Sequence, residues 1–143
     1  MLCLCQVAAY AEAALATPGV TARCGGRADP RVAAATASHG EGHWVAPTVL
    51  EGCGLQSAVA QEEAFGPLVT LHRFNTEADA IAAANCTRYG LAASVWTEDV
   101  SRAHAVAAAL DAGTVWVNCW LHRQRHMPFG GSKASGVGRE GGD

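Results

Sequence analysis

Residues 68–120 alternate three short apolar segments with two alanine-rich ones, in the order LVTLHRF (68–74), ADAIAAAN (78–85), AASVW (92–96), DVSRAHAVAAALD (99–111) and TVWVNCW (114–120). Short apolar runs with β-branched and aromatic residues are typical of strands, whereas alanine-rich segments favour helices. Strand, helix, strand, helix, strand with short connections is typical of a parallel sheet built by right-handed crossovers. This stretch therefore predicts an α/β fold with a parallel sheet and flanking helices.

Capping residues predict where the two helices begin and end. Thr76 with Asp79 forms a capping-box pattern ahead of the first helix. Thr97 is the expected N-terminal cap of the second helix. That helix is expected to end at Ala112-Gly113, with Gly113 in the left-handed conformation that often closes a helix.

The chain before residue 68 is less regular. The segment QVAAYAEAALAT (6–17) carries its apolar residues on one helical stripe, and VTARC (20–24) predicts a strand. Residues 25–42 are rich in Gly, Ala, Asp and Ser and predict a surface loop. HWVAPTVLEG (43–52) predicts an extended segment, which Pro47 places at a sheet edge or a bulge.

The composition excludes several classes of function. Half of the 143 residues are hydrophobic and 16% are charged, which suits a packed core rather than a disordered tail. A formal charge of −3 leaves no basic stripe to neutralise phosphates, so we expect no nucleic-acid partner. The apolar runs are too short to cross a bilayer, so we expect no membrane association.

Cysteine and histidine spacing gives no sign of a metal. The six cysteines are scattered along the chain without a C-x-x-C pair, which favours reduced thiols and a cytoplasmic protein over a zinc ribbon or a disulfide framework. His122 and His126 lie in a predicted loop with arginines between them, and no carboxylate or thiol completes a tetrahedral set. We therefore expect no metal site.

One glycine pattern imitates a dinucleotide-binding turn. Gly136, Gly138 and Gly141 have the G-x-G-x-x-G spacing, in the Gly-rich loop that we expect over residues 121–143. Such a turn works between a strand and a helix, whose N-terminus meets the pyrophosphate. Because these glycines follow a loop, we do not assign cofactor binding to them.

Three longer segments carry a resemblance, namely QEEAFGPLV (61–69), residues 85–120 and PFGGSKASGVGREGG (128–142). In order and spacing they are similar to the C-terminal part of the catalytic domain of the NAD(P)-dependent aldehyde dehydrogenases. HWVAPTVL (43–50) fits the segment that precedes them. The resemblance implies that residues 1–143 are a partial catalytic domain, without the nucleotide-binding domain and the terminal oligomerisation strand.

The resemblance also implies a reaction. Family members oxidise a small-molecule aldehyde to a carboxylic acid with NAD⁺ through a cysteine thioester, and full-length members are homo-oligomers. Glu63 and Phe65 match the family glutamate that binds the nicotinamide ribose and the phenylalanine beside the ring. The alternative is that Glu63 lies at a solvated helix end and that Phe65 is a core residue.

Four more residues match the family's site. NCWLHRQRHMPFGG (118–131) looks most like the branch of the aminomuconate- and hydroxymuconate-semialdehyde dehydrogenases. In that branch Arg123 is suited to bind a substrate carboxylate, and the alternative is a solvated arginine in a loop. Trp120 is suited to form an apolar wall of the same pocket, and the alternative is that it closes the strand. Phe129 matches a residue of the aldehyde tunnel or serves packing, and Glu140 matches a proton-relay glutamate or a carboxylate at a helix N-terminus.

The nucleophile is where the sequence departs from the family. LCLC (2–5) resembles the nucleophile segment of the muconate branch, with Cys3 in the reactive place. However, no Gly-Gln or Gly-Glu precedes Cys3, and its interval to Glu63 is shorter than in the family. Either an internal stretch is missing between Cys3 and the matching segments, or the likeness of LCLC is a coincidence. Two hypotheses about function follow. The chain is part of an NAD-dependent aldehyde dehydrogenase, for which Cys3 is a candidate nucleophile, or it is a non-catalytic truncated isoform or interaction fragment.

Overall fold

The computed structural model describes residues 2–26, 28–40 and 42–142, with side chains from residue 6 onward. The chain divides into two compact units, Met1–Arg73 and Phe74–Asp143. Both units combine short strands with flanking helices, which confirms the predicted α/β class.

In its described residues, the first unit holds three helices and a three-stranded sheet. Its elements are α1 (Leu2–Leu15), β1 (Thr21–Cys24), α2 (Pro30–His39), β2 (Thr48–Glu51), α3 (Ala58–Gln61) and β3 (Leu68–Leu71). The sheet order is β1-β2-β3, in which β1 runs antiparallel and β3 parallel to the central strand β2.

The core of this unit forms around the central strand. Leu50 of β2 is 0% exposed and packs in one cluster with the buried Ala14 of α1 and Cys53. The partly buried Val20, Val59 and Leu68 surround this cluster. Burial in this apolar cluster raises the pKa of the Cys53 thiol.

One carboxylate ties the three strands together at the surface. Glu51 of β2 is paired with Arg23 of β1, and its Oε1 accepts from Arg73 Nε at 2.8 Å, just beyond β3. The hydrogen bonds from Arg73 and Arg23 hold the pKa of Glu51 below its usual value. Because both arginines are largely exposed, these ion pairs link the strands only weakly.

Over residues 74–142, which the structure describes, the second unit contains two helices and two strand pairs. Its elements are α4 (Glu77–Asn85), β4 (Tyr89–Gly90), β5 (Ala92–Val95), α5 (Val100–Ala109), β6 (Thr114–Val117) and β7 (Ser132–Lys133). Strands β5 and β6 pair in parallel, and β4 pairs antiparallel with β7. Asn85 joins the helix ends, because its Nδ2 donates to Ala109 O at 2.8 Å and its Oδ1 accepts from Asp111 N at 2.9 Å.

The strand pairing differs from the prediction in two respects. The strand at 68–71 pairs with β2, not with β5, so the three apolar segments do not form one parallel sheet. The strand after Pro47 is the central strand of its sheet, not an edge. It begins at Thr48, so the N–H that proline lacks is not needed in the ladder.

The expected loop over residues 25–42 is wrong, because it contains α2. Asp29 caps this helix by accepting from Arg31 N at 2.9 Å, and Pro30 occupies its first turn. Proline is well suited to that position because its missing N–H has no intrahelical partner there. Gly40, with φ of 79°, closes the helix.

The helix caps of the second unit confirm one prediction and correct two. Thr76 and Asp79 form the complete capping box. The second helix is capped by Asp99, while Thr97 Oγ1 only accepts from Asp99 N at 3.2 Å. Gly113 lies beyond the helix, which ends at Ala109, and its φ is not in the left-handed region.

Within the described part of the chain, no helix is both long enough and apolar enough to cross a bilayer.

Candidate functional site

Glu63 and Phe65 lie in the connection between α3 and β3. The last turn of α3 closes where Glu62 N donates to Ala58 O at 2.8 Å, and the chain then runs to the start of β3. Leu68 N donates to Gly66 O at 2.7 Å, which turns the backbone into the strand. A Cβ on Gly66 would collide with Val7 Cγ2, so only glycine lets this connection lie against α1.

Both side chains are exposed on the surface of the first unit. The Phe65 side chain is 73% exposed, so it is not a core residue of this unit. Together with Ala64, Gly66 and Leu68, the two residues line a shallow concavity. A carboxylate beside an exposed ring fits a ligand that presents hydroxyl groups next to a planar ring, as a nicotinamide riboside does.

The second unit brings together three residues that the sequence named separately. The Arg123 guanidinium carbon lies 4.1 Å from the centroid of the Phe129 ring, within the range of a cation–π contact. Arg123 Nη2 lies 3.3 Å from Glu140 Oε2. Arg123, Phe129 and Glu140, which we call the arginine cluster, are therefore in mutual contact.

The backbone holds two members of the arginine cluster side by side. Phe129 and Glu140 form an isolated antiparallel bridge, in which each N–H donates to the other carbonyl at 2.8 Å. The cluster is thus built on a closed loop rather than on a helix or a long strand. Glu140 is not at a helix N-terminus, so the alternative interpretation of this residue is wrong.

Trp120 lies beside the same loop. Its ring meets that of the buried Trp116 edge-on, with centroids 5.0 Å apart and planes at 67°. Trp116 Nε1 donates to His122 O at 2.8 Å, which fixes the chain just before Arg123. Leu121 has a φ of 56°, a left-handed conformation that turns the chain sharply between these contacts.

A small cavity of about 180 Å³ lies between β6 and residues 122–129. Its wall includes Trp116, Met127 and Phe129, and Arg123 provides its positive charge. An apolar cavity with one guanidinium suits a small organic molecule that carries a carboxylate.

Glycines and Arg139 hold the loop in place. A Cβ on Gly113 would collide with Gly130 O, so the strand β6 begins directly against the loop backbone. Arg139 Nη1 donates to Gly131 O at 2.7 Å and to Gly138 O at 2.9 Å. Arg139 is therefore structural, whereas Arg123 faces the cavity.

Asn118 is also structural. Its φ is 53°, and its amide donates to Thr97 O and accepts from Thr97 N, both at 2.8 Å. Both ends of the side chain are committed to the backbone that precedes α5. No sequence pattern indicated this pairing, which joins the end of β6 to the residues just after β5.

Three further expectations concern cofactor turns, metals and the nucleophile. A two-residue strand, Ser132–Lys133, and a turn precede Gly136 of the glycine pattern, and the rejection of a dinucleotide turn stays a prediction. No group of three or more potential metal ligands is found among the described side chains. The side chain of Cys3 lies outside the described residues.

Comparison with known proteins gives concordant matches. The family model for the aldehyde dehydrogenase family matches residues 5–143. The 2-aminomuconic semialdehyde dehydrogenase of Danio rerio is 52% identical over 101 residues, covering 71% of this chain and 21% of that protein. The 2-hydroxymuconic semialdehyde dehydrogenase of Pseudomonas putida gives the same identity and coverage. The human 2-aminomuconic semialdehyde dehydrogenase is 42% identical over 136 residues, covering 95% of this chain and 27% of that protein.

Solved structures show the same relationship. Betaine aldehyde dehydrogenase from Staphylococcus aureus, in complex with NAD⁺, matches 99% of this chain with a TM-score of 0.88 and 37% identity. Succinate-semialdehyde dehydrogenase from Burkholderia pseudomallei matches 99% of the chain with a TM-score of 0.84 and 37% identity. The chain spans 27% of each of these structures. Since the family model covers nearly all of its residues, the chain belongs to the aldehyde dehydrogenase family.

Proposed function

We propose that this chain is part of the catalytic domain of a cytoplasmic, NAD-dependent aldehyde dehydrogenase. Its substrate is a semialdehyde that carries a carboxylate, of the muconate type named in its relatives, and its product is the corresponding carboxylic acid. The arginine cluster is the observation that carries the substrate assignment. As in full-length members of the family, the complete enzyme is proposed to be a homo-oligomer.

The chemistry of Arg123 supports a carboxylate-bearing substrate. Its guanidinium stacks on Phe129 and leaves N–H groups at its edge for an anion, in a cavity whose other walls are largely apolar. A planar guanidinium binds a carboxylate through two parallel N–H···O bonds. Trp120 extends the aromatic wall through its contact with Trp116.

Glu63 and Phe65 are the proposed contacts to the cofactor. The exposed Glu63 carboxylate accepts hydrogen bonds from the ribose hydroxyls, and the exposed Phe65 ring packs beside the nicotinamide. When bound, NAD⁺ accepts the hydride that aldehyde oxidation releases. The role of these two residues is to bind and orient the cofactor.

The covalent step requires a thiolate nucleophile, for which Cys3 is the candidate. A cysteine thiolate would attack the aldehyde carbonyl to give a thiohemiacetal, whose carbon would lose hydride to the bound cofactor. Water would then cleave the resulting thioester, which releases the acid and restores the thiol. Glu140 is the proposed group for moving protons near this pocket.

The first test is calorimetric titration of the chain with NAD⁺. Binding is expected to be lost in Glu63→Gln but retained in Glu98→Gln, a matched control that removes the same charge from an exposed site. Equal binding by both variants contradicts the assignment of Glu63. An NADH-formation assay with a muconate-type semialdehyde, in which Cys3→Ser is expected to be inactive, tests the nucleophile.

A non-catalytic interaction fragment is the second candidate. Large apolar side chains are exposed, with Phe74, Trp96 and Val100 among them, as expected of an interaction surface and equally of a chain that spans 27% of its solved relatives. A chain that binds no NAD⁺, forms no NADH and associates with itself in analytical ultracentrifugation supports this candidate. A soluble monomer that binds NAD⁺ contradicts it.

A further inference from the structure

Arg123 already contacts a carboxylate of its own chain. Its Nη2 lies 3.3 Å from Glu140 Oε2, while Phe129 covers one face of the guanidinium. Glu140 therefore occupies part of the edge at which an incoming carboxylate has to bind.

The contact between Arg123 and Glu140 is weak and displaceable. The Glu140 side chain is 82% exposed and that of Arg123 45% exposed, so water competes with the ion pair. Only one N···O pair is formed, at a distance longer than is usual for charge-assisted hydrogen bonds. A carboxylate that engages both N–H groups of the guanidinium edge can replace it.

The backbone nevertheless keeps Glu140 beside Arg123. The paired hydrogen bonds to Phe129 fix its main chain. The next residue, Gly141, has a φ of 72° and packs so closely on Arg125 O that a Cβ would collide with it. The Glu140 side chain can rotate away from Arg123, whereas the backbone of residue 140 stays in place.

We propose that Glu140 is a specificity-determining residue, because it competes with the substrate carboxylate for Arg123. This inference rests on the proposed function of Arg123. If Glu140 stays on the guanidinium, an anionic substrate must displace it, and if both carboxylates share the guanidinium, they repel each other. Either way Glu140 lowers the affinity for carboxylate-bearing ligands.

The size of the effect follows from the exposure of the ion pair. Exposed pairs contribute little, so releasing Arg123 from Glu140 is expected to tighten carboxylate binding by about two- to five-fold. A buried pair would give a far larger factor, which the exposure of Glu140 excludes.

The test is titration of the 143-residue chain with the unsaturated dicarboxylate muconate, followed by calorimetry and by NMR of the arginine Nε–H groups. Glu140→Gln is expected to bind muconate about two- to five-fold more tightly than the wild type. Glu140→Asp, whose shorter side chain keeps the charge but reaches less far, is expected to fall between the two. Arg123→Met is expected to abolish binding.

Glu77→Gln is the matched control. Glu77 of α4 is also an exposed carboxylate of the second unit that is paired with an arginine, at 3.1 Å from Arg102 Nε. The variant changes the net charge by the same amount, so a general electrostatic effect appears in both variants. Muconate binding by Glu77→Gln is expected to equal that of the wild type.

The outcomes separate this inference from the proposed function. Unchanged or weaker binding in both Glu140 variants, with binding still lost in Arg123→Met, overturns the competition and leaves the carboxylate site of Arg123 standing. Equal tightening in Glu77→Gln also overturns it. If Arg123→Met binds like the wild type, or if no variant binds muconate, the carboxylate site fails and the inference fails with it.

Discussion

Substituting Gly113 with alanine is expected to destabilise the second unit and to disturb the arginine cluster. An added Cβ would collide with Gly130 O and would lie 2.8 Å from Gly130 C and 3.0 Å from Gly131 C. All three atoms belong to the backbone, so no side chain can rotate away. The Gly113 N–H also donates to Gly90 O at 3.0 Å, which keeps residue 113 from retreating.

The expected cost is that of overpacking, about 1–3 kcal/mol in the free energy of unfolding. For a chain of this size a loss of about 2 kcal/mol lowers Tm by roughly 6–8 °C. Because the displaced loop carries Phe129, the stacking of Arg123 should weaken as well. Thermal unfolding followed by circular dichroism measures the first effect, and the chemical shift of Arg123 Nε–H the second.

Two further variants make the reasoning refutable. Gly138→Ala is the matched control, since its Cβ meets open space and its φ is not left-handed, so its Tm should equal or slightly exceed that of the wild type. Gly113→Asn tests the earlier interpretation of this residue as a left-handed helix cap, in which asparagine is tolerated. If Gly113→Asn and Gly113→Ala both have the Tm of the wild type, the close approach of residue 113 to Gly130 does not constrain the fold.

Three other expectations follow from the burial and the charges of single residues. Leu50→Ala removes a fully buried side chain and should cost about 3 kcal/mol in urea unfolding, and a loss below about 1 kcal/mol would contradict its central place in the core. The backbone N–H of Arg102 holds the pKa of Asp99 below its usual 3.8. The ionised Asp99 carboxylate therefore stabilises the folded state above that pH, and this stabilisation disappears as the pH falls through the lowered pKa. Asp99→Asn should flatten this acid-side dependence of Tm, and an unchanged pH profile speaks against the cap. Iodoacetamide should label the exposed Cys24 before the buried Cys53, whose pKa is raised, and peptide mapping that finds the reverse order contradicts the burial.

The sequence predicted local structure better than strand pairing. Alternation and capping patterns are local, so the strands and the capping box at Thr76 could be identified from a few adjacent residues. Which strand lies beside β3 depends on contacts that periodicity does not encode. The partner is β2, a short segment behind Pro47 whose strand character the proline obscured.

The missed helix α2 did carry a signal. Asp29 followed by Pro30 is a typical signal for the beginning of a helix, and Gly40 is a typical signal for its end. The Gly-, Ala- and Ser-rich composition around them favoured a loop instead. Likewise Thr97 and Asp99 are both good caps, and only the structure shows that Asp99 accepts from Arg102 N at 3.0 Å.

For the site, residue types were predictable and their mutual contacts were not. Arg123, Phe129 and Glu140 were each named from the sequence, with no indication that they touch. Their contact depends on the bridge between residues 129 and 140, which closes a loop without periodicity. Phe65 shows the same limit, because the sequence left open whether its ring is buried, and its exposure in the first unit is a property of the fold.

The position of the arginine cluster is therefore determined by main-chain contacts more than by the packing of side chains. Gly113 lets β6 begin against the loop backbone, Arg139 bonds to two of the loop's carbonyls, and Trp116 fixes the carbonyl of His122. These contacts hold the backbone on either side of Arg123 and Glu140 but leave both charged ends in solvent. A hydrogen-bonded backbone with an exposed Glu140 carboxylate is what a displaceable competitor requires, since the guanidinium must stay on Phe129 while the carboxylate leaves. The same frame explains why a single methyl group at Gly113 should affect both stability and anion binding, although residue 113 contacts no charged group of the cluster.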